Sequence, residues 1–248
     1  MPFEYRYALG SASHVGMVRE INQDSVMTVA LNCSFYDAGG NSAILAVADG
    51  VGGGPAGEVA SKLAIAFFFR KFVESVLLRS ASDLQAGMNS QVRPLLQSFE
   101  LANAEVSRSS VQNPRYTGMA TTLTAAFLDQ GRCLIGHVGD SRCYLVRSGR
   151  IRLLTKDQSR GNVLSQAVGA SMPLSVYSDE LMLENNDSIL VCSDGLTNMV
   201  GDESIADVVS QSSDPDQICA KLVNEANQRG GIDNITVALA RVGLRFVP

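Results

Sequence analysis

A chain of 248 residues with 46% hydrophobic content has ample material for a core, in one large domain or two small ones. Its net charge of -5 and pI near 5.1 argue against nucleic acid or an anionic membrane surface as the main partner. Five cysteines, at 33, 133, 143, 192 and 219, form no C-x-x-C pair, and three lie in apolar runs. They read as small hydrophobes in a reducing compartment, which predicts a cytoplasmic location. The opening MPFEYRYALG holds no apolar signal stretch, and the run 63–69 is closed by Arg70 and Lys71, so no membrane insertion is expected.

In chain order, residues 5–10 and 25–31 read as strands flanking a polar loop, 19–24, that carries Arg19 and Asp24. Six small and aliphatic residues, 43–48, predict a buried strand that ends on Asp49. Glycines at 50, 52, 53, 54 and 57 follow it. Apolar residues at 59, 60, 63, 64, 67, 68 and 72 then predict a helix over 56–78, paired with a second over 89–109. The period changes after that. Short β-rich runs at 121–128, 132–138, 141–146 and 151–154, separated by turn signals, predict an antiparallel meander. A loop over 156–178, strands over 179–184 and 188–192, helices over 202–211 and 216–229, and a strand over 234–240 complete the chain. No linker or low-complexity run divides it. The expected class is α+β, with two antiparallel β-sheets packed as a sandwich and a helix pair on each outer face.

Two chemistries compete for the glycine-rich loop. Gly52, Gly54 and Gly57 fit G-x-G-x-x-G, with Glu74 near the place of a ribose-binding acid. The element order is not βαβαβ, however, which counts against a dinucleotide. Asp49 at the strand end would repel phosphate and suits a divalent cation. Asp140, Asp194 and Asp233 also sit at strand ends, and Asp24 lies one residue before a strand. Carboxylates gathered at one sandwich edge raise one another's pKa unless cations neutralise them. Oxygen-only ligands select Mg2+ or Mn2+, and no His/Cys set exists to hold zinc. An acid cluster with two metals implies hydrolysis, most often of phosphoryl esters, by water activated between the cations.

REINQD (19–24), VADGVGG (47–53), GEVAS (57–61), GMATTL (118–123), HVGDSRCYL (137–145), CSDGL (192–196) and GGIDNITV (230–237) run through nearly the whole chain. In this order and at these intervals they resemble the metal-dependent serine/threonine protein phosphatases of the protein phosphatase 2C type, in bacterial form. The resemblance implies one catalytic domain over 1–248, with a shortened flap at about 157–178. It implies that Asp49 bridges two metals, Mn2+ or Mg2+, with the Gly50 carbonyl on the second, and that Asp194 and Asp233 hold the first. Asp24 would hold metal-bound water, and Asp140 would belong to a weak third site. Arg19 would bind the substrate phosphate, and the nucleophile would be water rather than a protein group. Phosphorylated proteins, targets of a cognate serine/threonine kinase, are the implied substrates of what is expected to be a monomer. A non-catalytic binding module of the same fold is the alternative, and the presence of Asp49, Asp194 and Asp233 together weighs against it.

The chain departs from the family pattern at four places. Histidines found in relatives at the positions of Val51 and Gly54 are missing, so a histidine general acid is not expected; His14 and His137 read as structural. Gln158 replaces the histidine of an Asp-His-Ser motif, the flap after it is short, and Asn198 replaces an acid.

Overall fold

Residues 43–48 carry no polar alternation because both faces of their strand are buried. In a computed structural model describing residues 3–35, 38–51, 56–77, 89–161, 163–170 and 173–246, Ile44, Ala46 and Ala48 face a helix pair, while Ala43, Leu45 and Val47 face a second sheet. Gly52, Gly53, Gly54, Pro55, Leu78 and Asn162, on which parts of the sequence reading fall, lie outside the described residues.

Five strands make each sheet, and all their pairings are antiparallel. In the first, β1 (Phe3–His14) pairs with β12 (Ile235–Phe246), followed by β11 (Ser188–Cys192), β6 (Arg142–Arg147) and β7 (Arg150–Leu153). The second runs β10 (Tyr177–Met182), β5 (Arg132–Val138), β4 (Leu123–Asp129), β3 (Ala38–Asp49) and β2 (Asp24–Phe35). Helices α1 (Gly57–Leu77) and α2 (Asn89–Gln112) cover the second sheet. There Phe68 stacks on Phe72 and meets Phe99 edge-on, and Phe72 meets Phe127 edge-on at 5.0 Å. The short α3 (Asp194–Thr197) follows β11, and α4 (Asp202–Ser210) and α5 (Pro215–Gln228) cover the first sheet. Among the described residues no helix is long and apolar enough to cross a membrane.

The expected meander is in fact two hairpins in different sheets. β4 and β5 pair in the second sheet and β6 and β7 in the first, and the chain crosses between them at Gly139 to Ser141. Gly139 stands at φ +111°, where a side chain would be strained, and a Cβ there would also strike Thr122. Periodicity identifies strands but not their partners, so this crossing was invisible in the residues. The expected loop over 156–178 also holds a small hairpin, β8 (Ser159–Arg160) with β9 (Val163–Leu164), whose strands are too short for any period. β1 and β12 pair over twelve residues each, beyond the expected 5–10 and 234–240, because the outer parts of both carry polar groups.

At the end of β11 remote from Asp194, Asp187 is 1% exposed. Its carboxylate accepts from Arg147 Nε at 2.8 Å, Arg147 Nη2 at 2.6 Å and the Glu184 amide at 2.7 Å. Asp187→Ala leaves both donors without that acceptor and should cost about 3 kcal/mol of stability, measured by chemical denaturation. Affinity for Mn2+ should be unaltered. A loss below about 1 kcal/mol would class this contact with ordinary surface ion pairs.

Candidate functional site

One edge of the sandwich collects acids because strands of both sheets begin or end there. Asp24 opens β2 directly opposite Asp49, which closes β3. Asp140 lies in the crossing between sheets, and Asp194 opens α3 straight after β11. Asp233 reaches the same edge by a tight exit from α5. Gly230 and Gly231, both at positive φ, donate to the carbonyls of Asn227 and Ala226 and turn the chain toward β12.

Backbone approach at this edge is close. A Cβ on Gly50 would lie 2.5 Å from the Gly57 carbonyl, so only glycine lets β3 run into the loop before α1. Thr122 and Thr121 hold the strand end. Thr122 Oγ1 accepts from the Asp49 amide at 2.9 Å, and the Thr122 amide and Thr121 hydroxyl both donate to the Asp49 carbonyl at 2.8 Å.

The loop that carries Arg19 is pinned by Asn234, a residue the sequence reading passed over. Asn234 Nδ2 donates to the carbonyls of Val15 at 2.8 Å and Ile21 at 3.0 Å, while its Oδ1 accepts from the Gln23 amide at 2.8 Å. One side chain thus closes both ends of the loop and ties it to the residue next to Asp233. Ser193 was also missed; its hydroxyl donates to Asp24 Oδ2 at 2.8 Å and accepts from the Thr236 amide at 3.0 Å. The signal available for both was a polar residue beside an acid where the surrounding strand is apolar.

Charge dominates the electrostatics. Burial pushes the Asp49 carboxyl well above the ordinary range, and Asp24, Asp194, Asp233 and Asp140 all add to the shift. Burial likewise raises Asp24 to about 6, against the hydrogen bonds it accepts, and Asp140 to about 6, reinforced by Asp194 and Asp157. Asp194 is raised by burial and then by Asp233. The five acids therefore lie within each other's field. Among the described residues no group of three or more acids, histidines or cysteines is drawn close enough to hold an ion as it stands, and three of the acids lean on protein donors, Asp24 on Ser193, Asp194 on Asn198 and Asp233 on Arg19. Arg19 Nη2 contacts Asp233 Oδ2 at 2.8 Å, and Asn198 Nδ2 contacts Asp194 Oδ2 at 3.1 Å.

The donor set fits divalent cations. It is made of carboxylates, with the Gly50 carbonyl beside Asp49, and these are the oxygens that hard cations take. Asp24 Oδ1 is buried and has no hydrogen-bond partner among the described residues, a cost that a cation or its water would relieve. A cleft of about 730 Å3 opens over these groups, lined by Arg19, Asp49, Asp140, Asp194 and Asp233 from the edge and by Ser159, Gly161 and Leu164 from the β8–β9 hairpin. Asn198 also lines it, so position 198 faces the acids. Arg142, on the cleft wall, is held bidentately by Asp157 through Nε at 3.1 Å and Nη2 at 2.7 Å. Gln158 accepts from the Gly139 amide at 3.0 Å and donates to the Ser175 carbonyl at 3.0 Å, so it braces the crossing.

Both histidines are committed elsewhere. His137 is fully buried with Nδ1 at 2.8 Å from Thr124 Oγ1, and burial lowers its pKa to about 4. His14 Nδ1 accepts from the Gly16 amide at 2.9 Å.

An α+β sandwich with an acid-lined cleft at one edge describes a class of metal-dependent hydrolases. A family model described as Protein phosphatase 2C matches residues 17–229. The serine/threonine phosphatase stp of Listeria monocytogenes serotype 4b is 30% identical over 244 residues, covering 90% of this chain and 91% of its own. A structure of the S. agalactiae serine/threonine phosphatase gives a TM-score of 0.80 at 30% identity, over 97% of this chain and 100% of that one. The catalytic domain of serine threonine protein phosphatase PstP, solved in complex with 2 manganese ions, gives 0.76 at 29% identity, over 98% and 100%. The chain belongs to the protein phosphatase 2C family. It is an enzyme.

A raised carboxyl pKa means that the folded protein holds protons to higher pH than the unfolded chain. That stabilisation is complete below the ordinary value of 3.8 and is lost as pH rises through about 6. In chelator, the melting temperature should therefore fall between pH 5.5 and 7.5, and Mn2+ should abolish or reverse the fall. A chelated protein equally stable at both pH values would show that the folded acids bind protons no more tightly than the unfolded chain does.

Proposed function

We propose that the protein hydrolyses phosphoserine and phosphothreonine in phosphorylated proteins at the acid-lined edge. The observation that carries this reading is the half-buried Asp49 set among four further acids at the floor of a cleft that Arg19 also lines. When bound, divalent cations neutralise the acids, withdraw charge from the phosphoryl group and lower the pKa of water to near neutrality. Asp49, the Gly50 carbonyl, Asp194 and Asp233 would hold those cations. Asp24, fixed by Ser193, would hold water bound to them, and Asp140 would serve a weaker third site. Either Mn2+ or Mg2+ satisfies such oxygen ligands, and the manganese-bound relative supports a count of two.

Arg19 binds the phosphoryl oxygens. Its planar fork suits two of them at once, and its loop is held firmly enough by Asn234 to set their direction. No imidazole reaches the cleft among the described residues, since His14 and His137 are occupied structurally. The leaving alkoxide therefore takes its proton from water. We read 1–248 as a single catalytic domain in which the hairpin of β8 and β9 stands for a shortened flap. All five acids and Arg19 come from one chain, which supports a monomer. Buried, free Cys133, Cys143, Cys192 and Cys219 support a reducing, cytoplasmic setting. A serine/threonine kinase of the same cell would supply the substrates.

Hydrolysis of p-nitrophenyl phosphate and of a phosphothreonine peptide, in chelator and with added Mn2+, tests the reading. Activity should require the metal, and Asp49→Asn should lower kcat by about a thousandfold or more while the fold survives. Full turnover in exhaustively chelated protein would end the proposal. Binding and chemistry separate at Arg19: Arg19→Ala should raise KM for the phosphopeptide. Affinity for Mn2+ should be unchanged or tighter, because the guanidinium and a cation compete for Asp233. Weaker metal binding in this variant would make Arg19 a structural residue.

A further inference from the structure

The rim of the cleft next to Arg19 is apolar. Four of the ten large hydrophobic side chains exposed among the described residues lie in two short segments there: Met17 at 66%, Val18 at 66%, Ile21 at 60% and Ile232 at 51%. The segments are joined, since the Met17 amide donates to the Gly231 carbonyl at 2.7 Å. Ile232 lines the cleft together with Arg19 and the half-buried Met199. The loop that holds Met17 and Val18 outward is not free to fold them under. Asn234 clamps both of its ends, and Gly16, at φ +85°, packs so tightly that a Cβ would lie 2.2 Å from the Asp233 carbonyl oxygen. Clustered apolar surface kept in water by a fixed loop marks an interaction site.

We infer that Met17, Val18, Met199 and Ile232 form a subsite for an apolar side chain flanking the phosphorylated residue of the substrate. This rests on the phosphatase reading and names the substrate class for that same site. Two features argue for this occupant. The patch is continuous with the cleft, so a peptide whose phosphate sits on Arg19 must leave across it. Met17, Val18 and Ile232 are each more than half exposed, so an apolar flank has surface to cover. Contact with an apolar side chain buries surface on both partners. For a leucine about half covered, this corresponds to about a tenfold gain in kcat/KM over serine.

The test compares phosphothreonine peptides carrying Leu or Ser on either side of the phosphorylated residue, using the Mn2+-loaded enzyme. Activity toward p-nitrophenyl phosphate, too small to reach the rim, is measured alongside. The wild type should prefer the Leu peptides about tenfold on at least one side, mainly through KM. In Met17→Ser/Val18→Ser, with its melting temperature checked, the Leu/Ser ratio should fall toward one. Equal rates on Leu and Ser peptides in the wild type, or an unchanged ratio in the variant, would overturn the subsite while leaving the phosphatase reading intact. A wild-type enzyme inactive on p-nitrophenyl phosphate with metal would instead overturn the parent reading. A concentration-dependent dimer that the double variant abolishes, with the ratio unchanged, would assign the patch to a second copy of this chain.

Discussion

Repulsion among Asp24, Asp49, Asp140, Asp194 and Asp233 is the constraint on which the rest of the structure depends. Burial disfavours the charges of Asp24, Asp49, Asp140 and Asp194, and acidic neighbours add to the penalty, so the ionised cluster is unfavourable without positive charge. The protein supplies only part of that charge, through Arg19 on Asp233, and meets the rest with neutral donors from Ser193 and Asn198. A site so arranged suits hard cations, because among the described residues the fold leaves Asp24 Oδ1 without a partner and gives the cluster a single guanidinium contact.

The architecture serves to hold that unfavourable arrangement in place. Two sheets with helix pairs outside bury their inner and outer faces, and the hydrophobic layers fix where each strand stops. β2 and β3 are registered so that Asp24 faces Asp49. The chain passes from one sheet to the other at Asp140 and exits α5 at Asp233. Asn234 then couples the acid beside it to the loop that carries Arg19, so one amide side chain fixes Asp233 and Arg19 relative to each other. The same clamp keeps Met17 and Val18 exposed beside that loop.

Much of this was legible in the residues, for identifiable reasons. The apolar run before Asp49 and the run 188–192 before Asp194 are buried on both faces, and such strands announce themselves and their ends. The strand over 132–138 was also placed as it stands. Partnership was not legible. The hairpins of 123–138 and 142–153 look alike in period but belong to different sheets, and only the positive φ of Gly139 marks the change. Asn234 and Ser193 were hidden because a polar residue next to an acid reads as a solvated turn. Their value lies in long-range hydrogen bonds, which local pattern does not encode. The apolar character of Met17 and Val18 was visible, but not that the fold leaves them in water.

The central claim is that these acids exist to hold cations and that Arg19 is released from Asp233 when they do. Anomalous diffraction at the manganese edge from a crystal soaked in Mn2+ tests it directly. The account predicts anomalous peaks flanking Asp49, one shared with Asp194 and Asp233, and an Arg19 guanidinium no longer within hydrogen-bond distance of Asp233. Absence of manganese at this edge, with the Arg19 to Asp233 contact intact, would contradict it.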